Sequence, residues 1–368
     1  MYEPHLLLRG SRLDKSPVRL KNFIHILLLP FGAIYGIIGL IRRWLYKKGW
    51  YRSYASTLPT IGIGNLTVGG TGKTPMVEYL VRLLKDDHKV AILSRGYKRK
   101  TRGYLNSADN TVVDACTFGD EPTQLHDKFP DTQVVVCEKR AEALQRLERA
   151  GKRPDIVLLD DAYQHLQVKC QLNLLLTDFA RLYCDDFPMP AGRLREFPSA
   201  AAAADVVIVT KSPQKLTPED AEKIRTKLVR KPCQPCFFTT LVYDELTPVT
   251  SLAQQMTLTP NTPVVLLTGI ANPQPIQQEI SKQFSDIEII SYSDHHNFSS
   301  KEMEYLCQKV AEKGDDTVVI TTEKDAARLR DRRIRDLADT LPIFVLPVRM
   351  KFLFDNKEVF IQTVKNIK

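Results

Sequence analysis

A short apolar run, Leu58-Pro-Thr-Ile-Gly-Ile-Gly64, leads directly into Asn65-Leu-Thr-Val-Gly-Gly-Thr-Gly-Lys-Thr74. Pro75 then suits the first turn of a helix whose apolar positions are Met76, Leu80 and Leu83. Strand, glycine-rich loop and helix in this order are the context a phosphate-binding loop requires. Gly69, Gly70 and Gly72 would let backbone N–H groups turn toward phosphate oxygens, and the helix N-terminus adds a favourable dipole. Lys73 would reach the β- and γ-phosphates while the Thr74 hydroxyl binds Mg²⁺. The usual spacing wants a glycine where Thr67 stands. The expected nucleotide-binding stretch is therefore Thr67, Val68, Gly69, Gly70, Thr71, Gly72, Lys73 and Thr74.

Such a loop needs a carboxylate partner. Asp155-Ile-Val-Leu-Leu-Asp160-Asp161 supplies one, because four apolar residues ending in acid read as a core strand of a parallel sheet. Adjacent acids on a strand point to opposite faces, so one of Asp160 and Asp161 can bind metal while the other holds a loop. A second acidic site is Gly119-Asp120-Glu121-Pro122. Asp120 suits an N-cap with Pro122 in the first turn, and it equally suits an acid beside the γ-phosphate. Arg193 and Arg195 lie in a loop bounded by proline and glycine, where they would clamp a phosphate.

Strands are expected at 58–64, 89–94, 133–137, 155–159 and 205–210, alternating with helical stretches. A second series is expected near 237–243, 263–268, 286–291, 317–321 and 343–347. The alternation reads as two α/β/α domains, a phosphate-loop kinase-like domain followed by a smaller Rossmann-like one. Pro232 and Pro235 place the boundary, giving a basic and apolar segment at 1–52, a nucleotide-binding domain at 53–234 and a second domain at 235–368.

The chain carries a formal charge of +9, which calls for an anionic partner. No RNA- or DNA-binding signature is present. Many basic residues instead crowd the first hundred positions, around an apolar stretch without Asp, Glu, Lys or Arg, Phe23 to Ile41. Its nineteen residues would rise about 28 Å as helix, close to the hydrocarbon thickness. Pro30, Gly32, Gly36 and Gly39 would weaken that helix. Arg9, Arg12, Lys15, Arg19 and Lys21 precede the stretch, and Arg42, Arg43, Lys47, Lys48 and Arg52 follow it. One crossing would strand one cluster outside, against the positive-inside bias. Both clusters at one anionic surface, with the apolar part dipping in, fit better. Seven scattered cysteines, with only Cys233-Gln-Pro-Cys236 at metal-like spacing, read as reduced thiols in a cytoplasmic protein.

Seven short blocks, in order, make the chain resemble the tetraacyldisaccharide 4′-kinase family over most of its length. They are Gly64 to Pro75, Ser94-Arg-Gly-Tyr97, Gly119-Asp-Glu-Pro122, Asp160-Asp-Ala-Tyr-Gln-His165, Pro190-Ala-Gly-Arg-Leu-Arg-Glu196, Asp294-His-His-Asn-Phe298 and Thr322-Glu-Lys-Asp325. The family's habit at position 67 is also not glycine, and it usually has Gly-Phe where this chain has Ala162-Tyr163. The resemblance implies transfer of the γ-phosphoryl of ATP, with Mg²⁺, to the 4′-hydroxyl of a tetraacylated glucosamine disaccharide 1-phosphate in lipid A synthesis. By position it implies a catalytic dyad of Asp120 and His295, the imidazole accepting the hydroxyl proton and the carboxylate orienting it. Thr74, Asp160, Asp161 and Glu121 are the implied metal residues. Asn65, Arg95, Tyr97, Gln164, His165, Arg193 and Arg195 are the implied substrate-binding residues.

The implied partners are the lipid-linked disaccharide and an anionic membrane surface, at the cytoplasmic face of the bacterial inner membrane. No nucleic acid and no obligate protein partner are expected. The rival reading is a membrane-associated NTPase switch. Guanine specificity usually rests on Asn-Lys-x-Asp, which neither Thr210-Lys211-Ser212-Pro213 nor Thr322-Glu-Lys-Asp325 supplies.

Overall fold

The computed structural model describes residues 16–109, 112–232, 234–294, 296–331 and 333–367, with the side chains of the first helix from residue 26 onward. Arg9, Arg12, Lys15, Cys233 and His295 therefore lie outside the described residues. The other six cysteines are all unpaired.

The chain builds a mixed α/β fold on two large sheets, besides a two-stranded parallel pairing of Tyr54–Ala55 with Val168–Lys169. The first begins with β1 (Thr60–Asn65), β2 (Val90–Ser94), β3 (Leu105–Asn106), β4 (Gln133–Val136), β5 (Ile156–Leu159), β6 (Leu172–Asp178), β7 (Val206–Thr210) and β8 (Cys236–Tyr243). Five further strands, β9 (Thr247–Pro248), β10 (Val264–Thr268), β11 (Ile287–Ser291), β12 (Val318–Thr321) and β13 (Ile343–Val345), form the second. The last strand, β14 (Val348–Phe352), returns to the first sheet, whose order is β14-β8-β7-β6-β1-β5-β2-β4-β3. All pairings from β8 to β4 are parallel, and only the two edge strands run antiparallel.

Period-two alternation decides which helix each strand residue meets. Ile61, Ile63, Ile92, Leu158 and Leu174 face α2 (Lys73–Leu84), burying Met76, Val77, Leu80 and Leu84. Ala91, Leu93, Val135 and Val157 face α4 (Arg140–Arg149). Leu175, Val207 and Val209 face α5 (Pro218–Leu228), which is capped by the Thr217 side chain. Covered on both faces, these strands can be apolar throughout. In the second sheet, Val264 and Leu266 face α6 (Gln274–Ile280), and Val265 and Leu267 face α7 (Ser300–Lys313).

Strand β1 lies between β5 and β6, but the chain passes from β1 to β2 on one side and reaches β6 and β7 later on the other. This reversal opens a crevice at the carboxyl end of β1. The strand expected to open the second domain, β8, pairs with β7, as Cys236 opposite Val207. Phe352 of β14 and Phe360 of α10 (Lys357–Lys365) join the core around α2. Pro232 and Pro235 thus interrupt a helix-to-strand connection inside the large sheet. The passage between the sheets lies just beyond β8 and before β14, where Asp244 N donates to the Pro347 carbonyl at 3.0 Å.

The amino-terminal helix α1 (Ser16–Lys47) runs unbroken through Pro30. Its part from Ile26 to Lys47 is long and apolar enough to cross a membrane. Gly32, Gly36, Gly39 and Arg43 share one stripe, which packs against residues 187–197. A Cβ at Gly36 would come within 2.3 Å of the Phe197 ring, so only glycine permits this approach. Ile26, Leu27, Phe31, Ile34, Ile38 and Ile41 lie on the opposite side and are all exposed. The glycines expected to weaken the helix are the residues that dock it.

Gly36→Leu should lift α1 from residues 187–197 and, as an overpacked contact, cost about 1–3 kcal/mol. Thermal melting and protease cleavage after Lys47 measure the loss; an unchanged melt with unchanged protection contradicts the docking.

Candidate active site

The loop after β1 is held from several directions. Gly72 caps α2 with φ 79°, a left-handed conformation open to glycine at little cost, and Gly69 has φ 112°. Val68 N donates to the Arg193 carbonyl at 2.8 Å, and Arg195 N donates to the Leu66 carbonyl at 2.7 Å. Residues 187–197 therefore add a short stretch of backbone pairing alongside the phosphate loop. Thr210 Oγ1 donates to the Thr71 carbonyl at 2.9 Å. Thr74 is buried in the first turn of α2, and open space surrounds Gly69 and Gly70.

At the end of β5 the two acids part. Asp161, with φ 47°, carries its carboxylate to Arg195, whose Nη1 donates to both oxygens at 3.1 and 3.0 Å. Lys73 Nζ lies 3.5 Å from the same carboxylate. Burial alone would raise the Asp161 carboxyl, but Lys73 and Arg195 hold it below the usual carboxylate range. Asp160 is only 2% exposed. Ser94 Oγ approaches its Oδ2 at 3.5 Å, while Oδ1 has no partner. Burial, then Glu121 and Asp161, push Asp160 up to about 7 against the pull of Lys73 and Arg140. A buried acid with an orphaned oxygen beside Lys73 lacks one positive charge.

A divalent cation fits that deficit. The described residues hold no cluster of three or more acidic, His or Cys ligands. Mg²⁺, however, is commonly held by one or two protein groups, its other positions going to phosphates and water. Asp160 with the Thr74 hydroxyl would form such a set. Glu121, whose charge also bears on Asp160, pairs with Lys324 at 3.3 Å.

The turn beyond Asp161 closes the site. Tyr163 is buried and its hydroxyl donates to the Ala200 carbonyl at 2.7 Å. Gln164 Nε2 donates to the Asn65 carbonyl at 2.7 Å, and its Oε1 accepts from Arg195 at 3.2 Å. Both side-chain polar atoms of Asn65 are buried without a partner, as are Thr67 Oγ1, Thr71 Oγ1 and His165 Nε2. Burial first, then Arg140, Arg42 and Arg95, depress His165 to about 4, so it is a neutral imidazole at physiological pH. Arg95, Tyr97 and Arg193 are exposed, Tyr97 by 71%.

Asp120 is not the N-cap of its helix: Gly119 is the N-cap of α3 (Asp120–Lys128), and Asp120 is its first residue. One of its partners comes from the second sheet. Arg328 of α8 (Glu323–Leu329) places Nε 3.5 Å from Asp120 Oδ2, while Nη1 donates to Asp325 at 2.8 Å and the Gly269 carbonyl at 3.1 Å. Lys128 joins Glu78 of α2 to Glu323 of α8, and Arg330 pairs with Asp127 at 2.6 Å. The α3–α8 seam is thus a row of ion pairs joining the two sheets beside the phosphate loop. His296 pairs with Glu302 at 2.9 Å and stacks on Tyr292.

Sequence reasoning missed Arg328, Lys211 and Arg43. The first lies just beyond the Thr322-Glu-Lys-Asp325 block. Arg43 was read only as part of a basic cluster; it donates to Glu196 at 2.5 Å and covers the Tyr163 ring.

The family model for tetraacyldisaccharide-1-P 4′-kinase matches residues 24–367. A tetraacyldisaccharide 4′-kinase of Bacteroides thetaiotaomicron is 40% identical over 356 residues, covering 93% of this chain and 92% of the relative. That of Parabacteroides distasonis is 41% identical over 342 residues, covering 91% and 92%. The crystal structure of "apo" form LpxK from Aquifex aeolicus in complex with ATP superposes with a TM-score of 0.71 at 27% identity. It covers 92% of this chain and 98% of that one.

Asp160→Asn tests the buried charge. An acid whose folded pKa lies above its unfolded value of about 3.9 destabilises the fold increasingly as pH rises toward 7, and fully above it. The substitution should therefore raise the melting temperature at pH 8 and leave it little changed at pH 4. An equal shift at both pH values contradicts this account.

Proposed function

This chain belongs to the tetraacyldisaccharide-1-P 4′-kinase family, and on that premise we propose how its residues carry out the transfer. It is a lipid A 4′-kinase, a phosphotransferase with an alcohol acceptor. The observation that supports the finer reading best is the meeting of Lys73, Asp160, Asp161 and Arg195 at the carboxyl ends of β1 and β5. Phosphoryl transfer needs charge neutralisation and alignment more than covalent chemistry.

ATP is the donor, seated with its β- and γ-phosphates on Thr67 to Thr74. Mg²⁺, held by Asp160 and the Thr74 hydroxyl, would neutralise charge on the transferring group. Asp161 keeps Lys73 and Arg195 aimed into the crevice, and Arg195 lies within reach of an anionic oxygen. Asn65, Gln164 and His165, with their unsatisfied buried atoms, are suited to substrate hydroxyls, and Arg95, Tyr97 and Arg193 to the rim. Asp120 and His295 form the dyad that takes the proton from the 4′-hydroxyl.

The chain works as two units, the nine-stranded sheet with α1 and the five-stranded sheet. Their closure along the α3–α8 ion pairs brings the dyad to the nucleotide. The enzyme sits at the cytoplasmic face of the inner membrane. The exposed apolar side of α1, antipodal to its docked stripe, lies on the bilayer. A continuous α1 can bring both basic clusters to one surface only when its axis lies along that surface.

The defining experiment follows label from γ-labelled ATP into a lipid disaccharide 1-phosphate. Transfer to lipid supports the kinase, and phosphate release alone supports the NTPase switch. Lys73→Ala should abolish transfer while the fold survives. Asp120→Ala and His295→Ala should each lower kcat by about 10²- to 10⁴-fold with little change in KM for ATP. The double variant should be scarcely slower than the poorer single one. Multiplying losses would defeat the dyad.

A further inference from the structure

We infer that Arg43 is a positioning residue for the transfer, an internal staple through which the amino-terminal helix holds Arg195 against Asp161. The inference rests on the reading that Arg195 and Asp161 serve the phosphate loop, and it starts from what keeps those two side chains in place.

Arg43 lies on the docked stripe of α1, and its side chain is only 16% exposed, so its charge is turned into the protein. Its Nε donates to Glu196 Oε2 at 2.5 Å, and its Nη2 donates to the Tyr163 carbonyl at 3.2 Å. The guanidinium also covers the Tyr163 ring, 5.0 Å from its centre. A guanidinium is a planar fork whose donors keep fixed directions. One that reaches two segments at once therefore fixes the gap between them. The first segment carries Asp160 and Asp161 just ahead of Tyr163, and the second carries Arg195 just ahead of Glu196.

The direct pair between Arg195 and Asp161 is partly open to solvent, where an ion pair by itself fixes geometry only weakly. The Arg43–Glu196 pair one position along is more enclosed, and a charge-assisted bond shielded from water holds its partners more firmly. Gly39 lets α1 come close enough for this, since a Cβ there would already stand 3.3 Å from Glu196 Cγ. Tyr163 is clamped from its far end as well, its hydroxyl donating to the Ala200 carbonyl. Burial first and then Arg140 depress His165, and Arg42, the neighbour of Arg43 on α1, adds to them. The end of α1 thus borders the crevice with its inner side, while its exposed apolar residues lie outward.

Transfer of label from γ-labelled ATP to the lipid disaccharide 1-phosphate by the full-length protein tests the staple. Arg43→Gln combined with Glu196→Gln removes it without stranding a buried charge, so the fold and its melting temperature should survive. The kcat should fall about ten- to a hundredfold, the effect of a small misplacement transmitted from outside the chemistry. The KM for ATP should change little, because Lys73 and the loop backbone are untouched. Arg43→Lys, which keeps the charge and loses the fork, should fall between the two. Arg195→Ala should lower kcat at least as far, and all three changes together no further than Arg195→Ala alone, because the staple acts through Arg195. An unchanged kcat in the paired variant, losses that multiply with Arg195→Ala, or a rate loss matched by the fraction of protein unfolded overturns the inference. Full activity of Arg195→Ala defeats instead the placing of Arg195 in the site, separately from Arg43.

Discussion

The carboxylate of Asp161 is where the separate parts of this site meet. It is drawn on one side by Lys73 from the phosphate loop and on the other by Arg195 from residues 187–197. Opposed cations keep the acid ionised despite its burial, and they in turn are fixed by it. The same loop residues pair backbone with Leu66 and Val68 and carry the surface on which α1 docks. Loss of this one charge would therefore loosen the phosphate loop, the loop that covers it and the footing of the amino-terminal helix together.

Asp160 shows the opposite electrostatic condition one residue away. Its carboxylate is enclosed, incompletely hydrogen-bonded and next to other acids, so its charge is disfavoured in the fold. Sites that bind cations are often unstable in this sense, because the ligand supplies what the protein withholds. Two adjacent acids thus differ through surroundings alone: one is compensated by the protein, the other is not.

Across the crevice, the second sheet reaches the first through charge rather than apolar burial. Asp120, Glu121, Asp127 and Lys128 of α3 all face ionic partners on or just beyond α8. An interface of this kind separates more easily than a packed core, since water and salt can replace its contacts. Arg328, only 4% exposed and tied to Asp325 and Gly269, is the exception, a rigid cation set against Asp120.

Much of this was legible in the residues themselves. The Gly-rich loop with its Lys-Thr, the apolar strand ending in two acids and the alternation of strand and helix depend on local pattern and chain order, which a sequence carries directly. The strand Leu172–Asp178, beside β1, is not among the expected ones. The prolines near 232–235 looked like a domain boundary because a break in regular structure has the same local signature within a sheet as between domains. The glycines of α1 read as weaknesses until Phe197 appeared opposite them. Which acid Lys73 approaches, that Arg328 stands against Asp120, and that the Lys211 head group is spent on Gly70 were decided only by tertiary structure. Each joins residues between 88 and 208 positions apart in the chain, and pairing over such distances is set by how the sheets stack, to which local sequence is blind.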